Sequence, residues 1–415
     1  LKIPMTDTEN NKNSNSPVST SAPSLRFPGF TEPWRRIRLG KIATFSKGAG
    51  ISKDQRNENG KPCILYGELY TTYTATNITN VISRTNLPED SLIKSVANDV
   101  IIPSSGETAE DIATARCVLK NDVFLGGDLN IIRLNNDSGS FLCYQLNGVR
   151  KREIAKLAQG VSVVHLYKES LKSLVVSIPS IDEQSKIAYF LQLLDERIAT
   201  QRRLIEDFIS LRRALLQNAI SRGLSKKSWK LTSLSDILTE RGEKNSAGYN
   251  VCSVSVSEGV VNQIEYLGRS FAAKETGHYN VARYGDIIYT KSPTGSFPYG
   301  IVKRNTQKLP AAISPLYGVF VPKYDWIGIL LGYYFESEVN TFNYLHPIIQ
   351  KGAKNTINIT NSGFLANSVP LPTDESEALT LAKCLDTISD KIILEKSILT
   401  HYTEQREYLL SKMFV

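Results

Sequence analysis

Two copies of a long heptad-patterned segment constrain this fold more than any other feature. Apolar side chains alternating at spacings of four and three residues are typical of helices that pair as a coiled coil. The first copy comprises Ile187, Leu191, Leu194, Ile198, Ile205, Phe208 and Leu215, and the second, 194 positions later, comprises Leu381, Leu385, Ile388, Ile392, Leu399, Tyr402 and Leu409. Polar interruptions also recur, as Gln201 with Glu395 and Arg212 with Arg406. Shared interruptions predict a duplicated unit of roughly half the chain.

The rest of each half recurs in the same order. The segment WRRIRL beginning at Trp34 corresponds to WKLTSL beginning at Trp229, 195 positions later. NDVII, which contains Asp99, corresponds to GDIIY, which contains Asp286, at an offset of 187. Short runs of Val, Ile, Tyr and Thr bounded by Gly, Pro and Asn are typical of strands. Each half therefore predicts a strand-rich globular part followed by a long helix, with a further helix at 138–158 or 325–342.

Start and stop signals bound the two long helices. Ser180 and Thr373 each follow a proline and precede acidic residues, so they are predicted N-caps. The first helix is expected to run to about Ala219 and to be closed by Gly223, and the second is expected to run to the chain end.

Two equivalent apolar seams in one chain favour pairing with each other. Antiparallel pairing would place the globular parts at opposite ends of a rod, related by a pseudo-twofold axis. It could also set Arg212 against Glu395 and Gln201 against Arg406. Such pairs are of interest because buried polar residues in a coiled-coil seam often fix its register. The register itself does not follow from the sequence. A long amphipathic helix packed on its own domain is the alternative.

Composition narrows the class of protein. The 415 residues carry a formal net charge of +8, which favours a polyanionic partner but is weak evidence alone. The 5 cysteines are scattered without a CxxC pair, so we expect reduced thiols and no zinc site. No apolar stretch approaches the ~18 residues of a membrane span, and no signal peptide is apparent. A cytoplasmic protein is expected, with a disordered tail at 1–24. Whether Met5 is the natural start does not follow from the sequence.

Several segments resemble the specificity subunit (HsdS) of type I restriction–modification systems. They are LRFPGFTEPW at 25–34, IPSIDEQSKIAYFLQLLDERI at 178–198, RRALLQNAI at 212–220, WKLTSLSDIL at 229–238 and the C-terminal helix. The resemblance covers nearly everything from residue 25 onward. The second copy departs from the pattern, because Glu377 and Ala378 replace the Glu183–Gln184 pair, which weakens any role for the glutamine.

The resemblance implies an α+β fold class: two mixed α/β target-recognition domains separated by a long antiparallel two-helix coiled coil, with a pseudo-twofold internal repeat. The implied boundaries are a disordered tail at 1–24, a first target-recognition domain at 25–178, a central spacer helix at 179–222, a second domain at 223–371 and a C-terminal spacer helix at 372–415.

The resemblance also implies partners. Each domain would read one half-site of a bipartite, asymmetric target in double-stranded DNA, and the helices would set the unread gap. Two methyltransferase (HsdM-like) subunits would dock on the chain, and restriction (HsdR-like) subunits would join them. No cofactor or metal is expected in this chain. S-adenosylmethionine would belong to the methyltransferase, and ATP and Mg to the restriction subunit.

The sequence lacks the motifs of a catalytic subunit. An amino-methyltransferase needs an Asn/Asp-Pro-Pro-aromatic motif, which is absent, as are a P-loop and a nucleophile with a positioned base. FSKGAG at 45–50 has only a faint likeness to a cofactor loop and is interpreted as a turn. We therefore predict a non-catalytic subunit. A fused restriction–methylation enzyme and a coiled-coil adaptor without a DNA role are the alternatives.

Base readers are expected on loops that differ between the halves, since each half would read a different sequence. Three loop sets qualify: 103–116 with 290–300, 159–165 with 351–358, and 66–73. Plain surface loops are the alternative. The predicted DNA-binding residues are Lys47, Tyr70, Thr72, Tyr73, Ser104, Ser105, Thr108, Arg116, Gln159, His165, Arg241, Lys244, Lys291, Ser292, Thr294, Lys354, Asn355 and Thr356.

Overall fold

The chain folds into two compact units, each built mainly from one half of the sequence. The computed structural model describes residues 22–160, 163–268, 275–351 and 357–415. Unit 1 comprises residues 1–203 and 397–415, and unit 2 comprises residues 204–396. Two long helices, Ile181–Lys226 and Glu375–Lys412, each contribute one segment to unit 1 and one to unit 2.

Unit 1 is a mixed α/β structure. Its strands are β1 (Arg35–Arg38), β2 (Ala43–Lys47), β3 (Arg56–Asn57), β4 (Lys61–Ile64), β5 (Asn77–Ile78), β6 (Ser83–Thr85), β7 (Ile93–Lys94), β8 (Asp99–Pro103), β9 (Ser105–Gly106), β10 (Arg116–Val118), β11 (Phe124–Leu125), β12 (Leu129–Leu134), β13 (Val164–His165) and β14 (Val175–Ile178). Its helices are α1 (Glu68–Thr71), α2 (Ala109–Ile112), α3 (Gly139–Asn147), α4 (Lys151–Leu157), α5 (Lys168–Ser173) and the first part of α6 (Ile181–Lys226).

The central sheet of unit 1 has the order β2-β12-β8-β10-β5 and is covered on both faces. Residues of β8 alternate between two cores, because successive side chains of a strand point to opposite faces. Val100 and Ile102 pack into the core that includes Phe141 of α3. Ile101 packs into a second core with Ile64 of β4. A second sheet, β3-β6-β4-β11-β7, lies beside the central one. Burial on both faces explains why NDVII is a continuous apolar run.

Unit 2 repeats the scheme with fewer strands among its described residues. They are β15 (Trp229–Ser233), β16 (Leu238–Glu240), β17 (Cys252–Ser255), β18 (Gly259–Asn262), β19 (Asn280–Ala282), β20 (Ile287–Tyr289), β21 (Val302–Arg304), β22 (Ala311–Ile313), β23 (Gly318–Pro322), β24 (Gln350–Lys351), β25 (Ile357–Asn358) and β26 (Ser368–Pro372). The helices are α7 (Gln263–Leu267), α8 (Asp325–Tyr334), α9 (Glu338–Leu345), α10 (Asn361–Ala366) and α11 (Glu375–Lys412), the last ending in unit 1.

The main sheet of unit 2, β16-β23-β20-β21, is antiparallel throughout. Ile287 and Tyr289 of β20 face the larger core, which includes Ile327 of α8. Ile288 faces a smaller core with Val260. Ile288 lies 187 positions after Ile101 of β8, so the duplicated strands place equivalent residues on equivalent faces.

Each domain is closed by pairing its first strand with its last. β1 pairs with β14, and β15 pairs with β26, both antiparallel. In unit 1 the chain end adds to this closure, since Phe414 packs on Trp34 and Phe141 with ring centroids 6.3 and 5.2 Å away. The predicted fold class, two mixed α/β domains with a long central helix and a C-terminal helix packed against it, is confirmed.

Three local predictions need correction. The central helix continues to Lys226, so Gly223 lies inside it and does not close it. Glycine is required at this position because a Cβ would come within 1.9 Å of the Trp229 indole. Lys227, with φ of 60°, supplies the left-handed residue after the helix. The C-terminal helix ends at Lys412, short of the chain end. The helices predicted at 138–158 and 325–342 are each broken in two, as α3–α4 and α8–α9.

The two helix starts differ from each other. Ser180 is an N-cap as predicted, because its hydroxyl accepts a hydrogen bond from the Glu183 N–H at 3.4 Å. Thr373 is not the cap of α11. Its hydroxyl donates to the Ser228 carbonyl at 2.8 Å, while the Asp374 carboxylate accepts from the Ser376 N–H at 3.1 Å. Asp374 is therefore the capping residue.

The predicted seam pairs are wrong, although the helices do pack antiparallel. In unit 1, Asp195 and Arg197 of α6 bond Arg406 and Tyr402 of α11, so residue numbers rise along one helix and fall along the other. Arg406 thus bonds Asp195 rather than Gln201. In unit 2, Arg212 bonds other groups than Glu395, as described below. The heptad pattern fixes which faces meet but leaves the longitudinal offset open.

Candidate nucleic-acid interface

Most predicted DNA-binding residues of unit 1 lie at one edge of the central sheet. β12 is antiparallel to both β2 and β8, so the ends of β2 and β8 lie at the same edge as the start of β12. Lys47 ends β2 and is exposed. Ser104 follows β8 directly, and Arg116 begins β10, which is antiparallel to β8. Sheet topology therefore brings residues from separate loops to one place.

Two predicted loop sets meet at this edge. Ser105 of β9 is the partner of His165 of β13, and Gln159 exchanges backbone hydrogen bonds with His165 at 2.9 and 2.8 Å. The Ser104 carbonyl accepts from the Leu166 N–H at 3.0 Å. The side chains of Gln159 and His165 are exposed, whereas those of Ser104 and Ser105 are buried. Of these four, only Gln159 and His165 therefore present their side chains to solvent at this place.

The loop at 66–73 mixes exposed and buried groups. Thr72 is exposed and Tyr70 is half-buried. Tyr73 is buried, its hydroxyl accepts from the Ile82 N–H at 3.2 Å, and burial raises the pKa of its phenol to about 12. Arg116 is buried too, and it donates to the carbonyls of Leu69 and Tyr73 at 3.0 and 2.6 Å. Arg116 and Tyr73 therefore shape the loop, and Thr72 is free to reach a ligand.

Thr108 occupies a helix start rather than an open loop. Its hydroxyl caps α2 by accepting from the Asp111 N–H at 3.1 Å, and it donates to the Asp111 carboxylate at 2.7 Å. The side chain is exposed, so one hydroxyl lone pair still faces solvent.

In unit 2 the loop after β20 lies at the equivalent edge. The ends of β16 and β20 and the starts of β21 and β23 meet there, because neighbouring strands are antiparallel. Lys291 is half-buried in a left-handed conformation with φ of 57°, and burial lowers the pKa of its ammonium. Ser292 is exposed. Thr294 and Phe297 exchange backbone hydrogen bonds of 3.0 Å, which makes a tight, defined loop.

The other predicted residues of unit 2 have different surroundings. Arg241 donates two hydrogen bonds, of 2.6 and 2.9 Å, to the buried carboxylate of Asp286. Lys244 is exposed and donates to the Asn280 amide oxygen at 2.6 Å. Lys354, Asn355 and Thr356 lie outside the described residues.

The pair of hydrogen bonds from Arg241 to Asp286 has a counterpart in unit 1 that the sequence did not indicate. Asp99, at the equivalent position, is buried and accepts two bonds of 2.7 Å from Arg133. Arg133 lies on β12, whereas Arg241 directly follows β16, and these two strands are not equivalent in the repeat. An alignment of the two halves therefore does not pair the two arginines. Since the guanidinium of Arg241 is already engaged, its role is to hold the main sheet beneath the loops.

A second set of missed residues fastens each domain to its helices. In unit 1 the Tyr144 hydroxyl donates to the Asp195 carboxylate at 3.0 Å, and Arg406 donates to the same carboxylate at 2.5 Å. Burial raises the pKa of the Tyr144 phenol, and the Asp195 charge raises it further. The phenol therefore stays protonated and remains a donor.

Unit 2 builds the same junction from different groups. The Ser389 hydroxyl, at the position of Asp195, donates to the Tyr333 oxygen at 2.7 Å, and the Tyr333 hydroxyl donates to the Asp386 carboxylate at 2.8 Å. Arg212, the counterpart of Arg406, also bonds Ser389, and it donates to the Glu336 carboxylate at 2.6 Å. The carboxylate that pairs with the arginine, Glu336, belongs to the domain, whereas the carboxylate that accepts from the tyrosine, Asp386, lies on the long helix. Arg406 and Arg212 therefore join the two long helices to each other, through Asp195 and Ser389, and the same clusters also anchor each domain to the helices.

Within the described ranges, no helix has the length and apolar character that a membrane crossing requires. Across the same ranges, no three His, Cys, Asp or Glu side chains converge as metal ligands would.

Known proteins match the chain in both sequence and fold. Residues 31–207 match the model of the type I restriction modification DNA specificity domain. The S subunit of a type I restriction–modification system from M. genitalium has a similar structure, with 15% identity, 95% of this chain and 99% of that chain covered, and a TM-score of 0.62. A structure described in connection with complex assembly and conformational transition of the type I R-M system has 16% identity, coverage of 94% and 99%, and a TM-score of 0.50. No curated protein sequence matches the chain.

The sequence match covers less than half of the chain, and the two structures share its fold at 15% and 16% identity. Residues 31–207 are therefore similar in sequence to a type I restriction modification DNA specificity domain, and the chain is similar in fold to an S subunit of such a system.

Proposed function

We propose that the chain reads a bipartite, asymmetric sequence in double-stranded DNA, with one half-site for each domain. The observation that carries the proposal is the duplicated sheet edge: the equivalent strands β8 and β20 end in unlike loops, one with Ser104 and Thr108 and the other with Lys291 and Ser292. A common scaffold with divergent loops suits two readers of different sequences. Exposed lysines supply phosphate contacts, and the hydroxyl and amide groups supply contacts to base edges.

The chain acts as a non-catalytic subunit in the cytoplasm. Two methyltransferase subunits and the restriction subunits dock on it, and they bring S-adenosylmethionine, ATP and Mg. This part of the proposal is supported by the match of residues 31–207 to the specificity-domain model and by the shared fold. Large apolar side chains on the long helices, such as Tyr189 (63% exposed) and Ile393 (66% exposed), are consistent with protein partners.

Methylome sequencing tests the proposal. A strain that expresses the chain with its methyltransferase should carry one two-part methylated motif, which disappears when either gene is deleted. Replacing residues 25–178 with the equivalent segment of a specificity subunit of different target should change one half of the motif and leave the other. An unchanged motif after a swap that preserves the fold would refute the assignment of one half-site to each domain.

A further inference from the structure

Unit 2 contains a cleft that the reading of DNA does not use. It encloses about 610 Å³ between the long helices, β21, α8 and the turn that joins β17 to β18. A volume of this size is typical of small-molecule sites. Ile209, Ile329 and Phe297 belong to the apolar part of its lining, called here the apolar wall, and the remaining lining includes five cationic side chains and four carboxylates.

The cationic side chains of the cleft are not all paired with its carboxylates. Lys303, Arg212 and Arg213 lie close enough to interact electrostatically around one carboxylate, that of Glu336. Arg212 already donates to Glu336 at 2.6 Å. Among the described residues, Lys303 and Arg213 make neither a hydrogen bond nor an ion pair, and the buried Nε of Arg212 has no acceptor. Burial lowers the pKa of Lys303, so its charge is poorly solvated.

The other carboxylates of the cleft are engaged elsewhere. Asp386 accepts from the Tyr333 hydroxyl at 2.8 Å, and Glu338 bonds Ser296. Glu258, in the turn between β17 and β18, lies 4.0 Å from Lys396 across the rim. None of these three contacts neutralises Lys303 or Arg213.

The internal repeat shows how the same position is satisfied when no ligand is needed. Arg116 of β10 lies 187 positions before Lys303 of β21, the offset that relates these blocks. The Arg116 guanidinium donates to the backbone carbonyls of Leu69 and Tyr73. In unit 2 the described chain supplies no such carbonyls to Lys303, and the cleft opens there instead. An unpaired, poorly solvated cation is costly unless an anion meets it.

We propose that this cleft binds a phosphate-bearing small molecule of nucleotide size. Lys303 and Arg213 bind the phosphates. Arginine and lysine together favour a multiply charged phosphate over a single carboxylate. The apolar wall formed by Ile209 and Ile329 contacts the base. The site is separate from the sheet edge and does not depend on the proposed reading of DNA.

Isothermal titration calorimetry on the full-length, DNA-free chain tests the site, with pyrophosphate and ATP as separate probes. We expect both to bind, with ATP tighter because of the apolar wall. Lys303→Met and Arg213→Ala should each weaken binding by about tenfold, since each removes a charged phosphate contact. Two controls should match the wild type: Lys323→Met, an exposed lysine of unit 2, and Arg202→Ala, an exposed arginine of α6 in unit 1.

Several outcomes would overturn the proposal. No heat with either probe at millimolar concentration rules out the site. Equal weakening in the controls marks the binding as non-specific. ATP binding no tighter than pyrophosphate rules out a nucleotide-sized ligand. Circular dichroism checks the fold of each variant, and if Lys303→Met does not fold, Arg213→Ala, an exposed position, decides the question.

Discussion

The Trp229 indole donates a hydrogen bond of 2.7 Å to the Glu377 carboxylate, and Trp34 makes the equivalent bond to Glu183 at 3.3 Å. Each bond joins the first strand of a domain to the first turn of the long helix that follows it. Both tryptophans are buried. This pair explains why Trp and Glu recur at matched places in the two halves, where a heptad pattern alone would require neither.

Glu183→Ala should destabilise unit 1 strongly. The carboxylate is 1% exposed and accepts two bonds from Arg26, at 2.7 and 2.8 Å, besides the Trp34 bond. Its removal leaves Arg26 without its carboxylate partner, which costs about 2–4 kcal/mol. Urea unfolding followed by tryptophan fluorescence measures the loss. Glu32→Ala, at an exposed position, is the control and should change little. An equal effect in both variants would contradict the role of Glu183.

A double-mutant cycle on Asp195 and Arg406 should report strong coupling. Asp195→Ala removes the acceptor of both Arg406 and Tyr144 and should cost about 3 kcal/mol, because it leaves a partly buried cation unpaired. Adding Arg406→Ala should recover about 1–3 kcal/mol of that cost. Denaturant unfolding of the four proteins gives the coupling energy. Additive losses would show that the two side chains act independently.

The sequence predicts the repeat and the fold class well, because both depend on local patterns. Apolar periodicity marks the helices, and the NDVII and GDIIY strands place the loops that follow them. The partners of Arg212 and Arg406 could not be predicted in the same way. They depend on the longitudinal offset of two helices and on Tyr144 and Tyr333, which lie far away in sequence. The equivalence of Arg116 and Lys303 is informative only when their surroundings are compared. The Arg116 guanidinium donates to two backbone carbonyls, whereas the Lys303 ammonium has no acceptor among the described residues.

Lys303→Met should stabilise unit 2 in the absence of ligand. Burial lowers the pKa of Lys303 in the folded chain, whereas the unfolded chain keeps the ordinary lysine value of about 10.4. Between the folded and unfolded pKa values the unfolded state holds more protons, so stability rises with pH through that window. The methionine variant should therefore have a higher melting temperature at neutral pH, and its advantage should shrink as pH rises towards 10.4.

Differential scanning calorimetry from pH 7 upward measures that difference, with Lys323→Met as the exposed control. A lower melting temperature for Lys303→Met at neutral pH would show that a protein group already compensates the charge.

Lys47→Ala and Lys291→Ala should each weaken DNA binding and reduce its dependence on salt. Both residues lie at the loop-bearing sheet edge, one in each unit, where their ammonium groups can neutralise phosphates. Loss of one phosphate contact should lower the slope of log K against log salt by about 0.9, at random and target sequences alike. Fluorescence anisotropy with labelled duplex at several salt concentrations, on the complex with its methyltransferase, gives the slopes. Lys120→Ala, beyond the far end of β10, and Lys323→Ala, beyond the far end of β23, are the matched controls. Equal slopes in all four variants would place the DNA on another face.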